Sequence, residues 1–139
     1  MKRKMKRIFC VILAAAMMLA MTVSVQAARS DSFIMLYYGY HYSGTLDIGE
    51  SGVWRVARAT ITSEALISNE TSDSVSLHGL VKNMAGQTLG YLDAQKEAIS
   101  NITSASDSFE HSELQNATVD YHAGYYLSSP VIKTLSVSR

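Results

Sequence analysis

The chain is poor in the residues that staple or stiffen small folds. Of its 139 residues one is cysteine, Cys10, and one is proline, Pro130. A lone cysteine closes no intrachain bridge, so no disulfide framework can stand in for a hydrophobic core. With one proline there is no polyproline stalk to divide the chain. Charged residues make up 17% and aromatic ones 9%, with a single tryptophan, Trp54. Recognisable catalytic frames are also missing: there is no His-Glu-x-x-His pair, no Gly-x-Ser-x-Gly turn and no Asp-rich loop for calcium.

What is present begins with an address. Lys2, Arg3, Lys4, Lys6 and Arg7 form a cationic start, Ile8 to Met21 is apolar or small throughout, and Val25-Gln26-Ala27 supplies small residues for cleavage between Ala27 and Ala28. This order predicts a secretory signal peptide over residues 1–27 and a secreted, extracellular product of residues 28–139. The apolar run has 14 residues, and only 18 if extended through Val25, against roughly 20 needed to span the hydrocarbon. Membrane contact is therefore expected only through the signal, before cleavage. Cys10 is preceded by Arg7-Ile8-Phe9, which is not a lipobox, so it leaves with the signal. The lysine-rich start resembles the export signals of Gram-positive bacteria.

Removing the signal changes the bulk character. Five of the 12 basic residues stand in it, leaving 7 against 12 carboxylates and a net charge near −5. An acidic product is a poor ligand for phosphate backbones, so nucleic acid is excluded as an expected partner. The remaining length suits one domain with its own core. Serine and threonine are frequent, short β-biased runs alternate with polar punctuation, and the pattern predicts an all-β fold: a small antiparallel sandwich, or partly open barrel, of about seven strands.

The clearest strand runs from Thr118 to Leu127, with Val119, Tyr121, Ala123, Tyr125 and Leu127 on one face. Ser128-Ser129-Pro130 then turns the chain into a second strand, Val131 to Val137. Val75, Leu77, Gly79 and Val81 alternate with polar neighbours, and Asn83 to Gly86 reads as a turn before a returning strand over Gln87 to Asp93. Val53 to Thr62 alternates too, although Arg55 falls on its apolar face. Ala94 to Ile102 is the one helical candidate, on the stripe Ala94, Ala98, Ile99 and Ile102.

Four of the eight tyrosines fall between Tyr37 and Tyr42. Drawn as one strand, Phe33 to Tyr42 is apolar or aromatic on both faces. It reads as a strand buried on both sides, as a platform of Tyr38, Tyr40 and Tyr42 for binding, or as an edge shared with another chain. Trp54 reads first as core and second as a further stacking residue. No catalytic residue, cofactor or metal is assigned. Pairing of the strands that flank Glu110 to His122 would be needed to bring His111 to His122 or Asp120 as metal ligands. The sequons at Asn69, Asn101 and Asn116 read as turn and strand residues.

These features point to a small secreted, non-enzymatic β-domain that binds a cell-envelope glycan or an extracellular protein, with Tyr38, Tyr40, Tyr42 and Trp54 as the binding candidates. A bacteriocin-like or toxin polypeptide is a second class, and a small extracellular hydrolase or metalloenzyme a third.

Overall fold

The computed structural model describes residues 29–124 and 129–139. The predicted signal segment, with the cleavage point expected between Ala27 and Ala28, lies outside the described residues, as do Tyr125 and Leu127 of the predicted terminal strand. Eight strands follow one another: β1 (Arg29–Tyr37), β2 (Tyr40–Ser51), β3 (Trp54–Ala65), β4 (Val75–Lys82), β5 (Thr88–Lys96), β6 (Ile102–His111), β7 (Asn116–Ala123) and β8 (Val131–Ser138). They form two four-stranded antiparallel sheets, β1-β2-β3-β6 and β5-β4-β7-β8. No helix occurs among the described residues.

Period-two alternation builds the core between the sheets. Tyr42, Leu46 and Ile48 of β2, with Ala57, Ala59 and Ile61 of β3, meet Leu77 and Val81 of β4, Leu92 of β5, Val119 and Tyr121 of β7 and Leu135 of β8. Phe33 of β1 meets the Tyr121 ring edge-on at 5.2 Å between centroids, and the Tyr121 hydroxyl crosses to donate to the Thr45 carbonyl at 2.6 Å. Buried hydroxyls with partners can stay in an apolar layer. The outer face of the first sheet is instead lined by Ser43, Thr45, Thr60, Thr62, Ser104 and Ser106, which is where much of the serine and threonine goes.

Arg55 ceases to be an anomaly at the end of that core. It follows the inward face of β3, and its guanidinium donates to the Leu114 carbonyl at 2.8 Å and to Gln115 Oε1 at 3.1 Å. The cation thereby ties the β6–β7 connection to β3 rather than packing among aliphatics.

Three sequence expectations change. The segment from Phe33 to Tyr42 is a hairpin, not one strand: Tyr38 and Gly39 form a two-residue turn with φ of 46° and 83°. Positive φ at both central residues matches the turn that follows the right-handed twist of a hairpin, and Gly39 adopts it without steric cost. This hairpin also yields eight strands where about seven were expected. The predicted helix over Ala94 to Ile102 is absent. Ala94 to Lys96 completes β5 opposite Leu77 to Val75, residues 97–101 form a connection, and Ile102 opens β6. Pairing to a buried central strand outweighs the helix propensity of the alanines, because a stripe that is half alanine offers little apolar area for a helix to bury. The other predicted elements hold where described, including the Asn83 to Gly86 turn, with Gly86 at φ 81°, and the β7–β8 hairpin.

Tyr42 and Tyr121 both titrate above the ordinary tyrosine value of 10.0, chiefly because burial disfavours phenolate. The unfolded chain therefore gives up these protons first. Their contribution to stability is complete below pH 10 and falls as pH rises towards the folded values, by up to about 1.4 kcal/mol per pH unit for each ring. Urea midpoints measured from pH 8 to 11.5 should hold steady and then decline above 10. A flat profile would show that neither phenol is held neutral by the fold.

Candidate functional site

The alternation of strand directions sorts the connections onto two ends. The β1–β2 turn, the long β3–β4 connection, the β5–β6 connection and the β7–β8 connection share one end; the β2–β3, β4–β5 and β6–β7 connections lie at the other. The first end carries the tyrosines. Tyr42 is fully buried there, and its hydroxyl donates to Asp73 Oδ2 at 2.6 Å. Tyr37 and Tyr40 are half-buried and stand edge-on to the Tyr42 ring, with centroids at 6.2 and 6.4 Å. Tyr38 is 85% exposed at the tip, edge-on to Tyr37 at 4.6 Å.

The four binding candidates are therefore separated into four environments. Tyr42 belongs to the core, Tyr40 shields it, and Tyr38 faces solvent. They do not share one face of a strand, because the turn intervenes between Tyr38 and Tyr40. Trp54 opens β3 at the opposite end, half-exposed and edge-on to His111 at 6.5 Å. Eleven residues of strand separate it from Ala65, or about 36 Å at 3.3 Å per residue. It cannot join Tyr38 in one site.

Sequence reading missed the other large apolar side chains exposed at the end that carries Tyr38. Leu66, Ile67, Ile99, Ile102 and Val131 are all about half exposed or more. With Tyr38 they make six of the twelve large apolar side chains exposed among the described residues. An available signal was the pair Leu66-Ile67 and the isolated Ile99 within otherwise polar connections.

These tips stand on a tightly bonded base. The Ala65 amide donates to the Asn101 carbonyl at 3.0 Å, and the Ser72 amide to the Ser100 carbonyl at 2.9 Å. Asn101 Nδ2 donates to the Ile67 carbonyl at 3.1 Å, which fixes the backbone beneath an exposed isoleucine. Buried Ser72 bonds the Ser100 carbonyl and shares a 2.6 Å hydrogen bond with buried Thr103. The Ala98 amide donates to Ser74 Oγ at 3.0 Å, and the Gly124 amide to the Ser74 carbonyl at 2.7 Å. Three connections are thus stitched together by short polar side chains. Glu64, Glu70 and Glu97, with Lys96, are exposed at the same end as the apolar tips.

The conditional metal site does not assemble. β6 pairs with β3 and β7 with β4 and β8, so the strands carrying His111 and His122 lie in different sheets. His111 faces Arg55 at the tryptophan end, whereas His122 is buried near the tyrosine end with Nδ1 at 3.0 Å from the Ser129 carbonyl. Among the described residues no group of three His, Cys, Asp or Glu side chains is placed to hold a metal ion.

No protein-family model matches this sequence, and no curated protein is similar to it.

Proposed function

We propose that this chain is an exported, non-enzymatic β-sandwich domain that binds an extracellular protein through its tyrosine end. The observation that carries this reading is the set of large apolar side chains held out to solvent on hydrogen-bonded connections. Exposing such groups together is unfavourable unless a partner covers them, and a fixed base lowers the entropy lost on binding. Aliphatic tips favour a protein over a glycan, which needs exposed ring faces, and the glutamates exposed at the same end favour a partner with basic as well as apolar groups.

Tyr38 strengthens the case. A bulky residue at positive φ costs about 1 kcal/mol relative to asparagine, the side chain that suits this turn. Strain kept at an exposed position is explained when the ring serves recognition.

Peptides selected from a random displayed library against the purified protein should be rich in Arg or Lys and apolar residues. Their affinity should fall at least tenfold for the double variant Ile67→Ser/Ile99→Ser, at unchanged urea midpoint. Tyr38→Asn should weaken the same binding while raising stability by about 1 kcal/mol. Selected peptides that bind the double variant as well as the parent, or retention by purified cell-wall sacculi alone, would defeat this reading.

A further inference from the structure

Four strands are edges of the two sheets: β1, β6, β5 and β8. Three of them carry the devices that discourage further pairing. β5 and β6 cover each other, since the Asp93 amide of β5 donates to Asp107 Oδ2 of β6 at 2.9 Å. The Phe109 ring of β6 also lies over Gly90 of β5, where an added Cβ would meet it at 2.2 Å. β8 follows Pro130, carries Lys133 and has a shifted register beside Tyr121 and His122. Proline, lysine and irregular register are ways in which proteins blunt an exposed edge.

β1 has none of these. Its nine residues pair with β2 in unbroken register, and it meets the facing sheet through the Phe33 ring against Tyr121 and, at its start, through Arg29 Nη1, which donates to the Ser138 carbonyl at 3.1 Å. From Ser32 to Tyr38 it carries no charge. On its outer face Ile34 is 73% exposed and Leu36 62%. Apolar, uncharged and regular, this edge is built to accept a strand of the same character.

We propose that β1 pairs antiparallel with β1 of a second copy of this chain, about a twofold axis at Met35. That register sets Ile34 against Leu36 of the second copy and Leu36 against its Ile34, so each exposed aliphatic gains a cross-strand partner. Phe33 then faces Tyr37 of the other copy. The paired register runs from Phe33 to Tyr37 of each copy, because the chain turns away at Tyr38 and Gly39, so the charged Asp31 and Arg29 lie beyond the end of the second copy's β1. No charged residue falls within the paired seam, although residues 29–139 carry 12 carboxylates against 7 basic side chains. The contact is isologous, as a closed dimer requires, and joins two four-stranded sheets into one of eight strands in the order β6-β3-β2-β1-β1-β2-β3-β6. A second copy fits this edge because the strip is complementary to itself. Ile67 and Ile99, which test the functional reading above, stand on the β3–β4 and β5–β6 connections and outside this seam, so the two readings fail separately.

Sedimentation velocity and light scattering should show the purified protein as a dimer at 50 to 200 µM. The double variant Ile34→Lys/Leu36→Lys should be monomeric, with the dimer dissociation constant raised at least about 100-fold. Ile34→Thr/Leu36→Thr, which keeps strand propensity without charge, should weaken it in the same direction; unchanged circular dichroism in both variants reports retained fold. Met35→Cys should form a covalent dimer on mild oxidation, because the axis sets the two cysteines opposite each other, whereas Ser30→Cys should not. A parent protein that is monomeric at 200 µM overturns the proposal, whatever else pairs with the edge. So does a dimer that survives both pairs of substitutions or crosslinks equally through residue 30.

Discussion

Replacing Tyr42 by alanine is expected to remove about 4 kcal/mol of stability, the range for deleting a fully buried aromatic side chain. The ring has no exposed surface and is braced by Tyr37 and Tyr40, so those neighbours cannot close over the space without leaving their own positions. Tyr42→Phe separates packing from hydrogen bonding. It retains the ring but deprives Asp73 of its 2.6 Å donor, and the expected loss is about 1 to 2 kcal/mol. Urea midpoints at pH 7 measure both. An alanine variant within about 1 kcal/mol of the parent would mean that Tyr42 is not part of the core, and would return it to the list of binding residues.

Gly79→Ala is expected to cost about 3 kcal/mol, although it adds one methyl group. On the central strand β4 an added Cβ would lie 2.6 Å from the Thr118 carbonyl oxygen and 2.6 Å from Val119 Cγ2. The oxygen belongs to the β4–β7 ladder, so relief requires moving backbone rather than rotating a side chain. Gly49→Ala is the matched control: its nearest neighbours would be at 3.8 Å, an ordinary contact, and its effect should stay within about 0.5 kcal/mol. Equal effects at the two positions would show that the loss reflects glycine's strand propensity and not the approach of β7 to β4.

How much of this was legible depends on where the large apolar residues stand. β4 and β7 place Val75, Leu77, Val81, Val119 and Tyr121 at alternate positions, and their burial follows directly from period two. β6 is harder to see, because its buried positions are Thr103 and Ala105 while Ile102 is exposed. Its hydrophobic pattern is inverted at the first residue of the strand, and the same isoleucine completed a misleading helical stripe. The β1–β2 turn was hidden for a different reason. Tyr-Gly lacks the asparagine or aspartate that usually marks such a turn, so the aromatic run looked continuous. The tyrosine end could not be assembled from sequence at all: Tyr38, Leu66, Ile99 and Val131 come to one end only through strand order, which no local pattern encodes.

That strand order also governs how the chain can fold. β1, β2 and β3 are consecutive neighbours and can zip by local hairpins, yet β3 keeps an open side until β6 arrives some forty residues later. β4 likewise has β5 at once but waits for β7. The chain crosses between the sheets three times, at β3–β4, β5–β6 and β6–β7, and neither sheet can be completed before the first two crossings are made, so the search cost falls late and the final step docks two half-built layers together. In a polypeptide delivered from its first residue onward, β3 and β4 would spend that interval with unpaired backbone on one side, making this interval the one most vulnerable to pairing between chains.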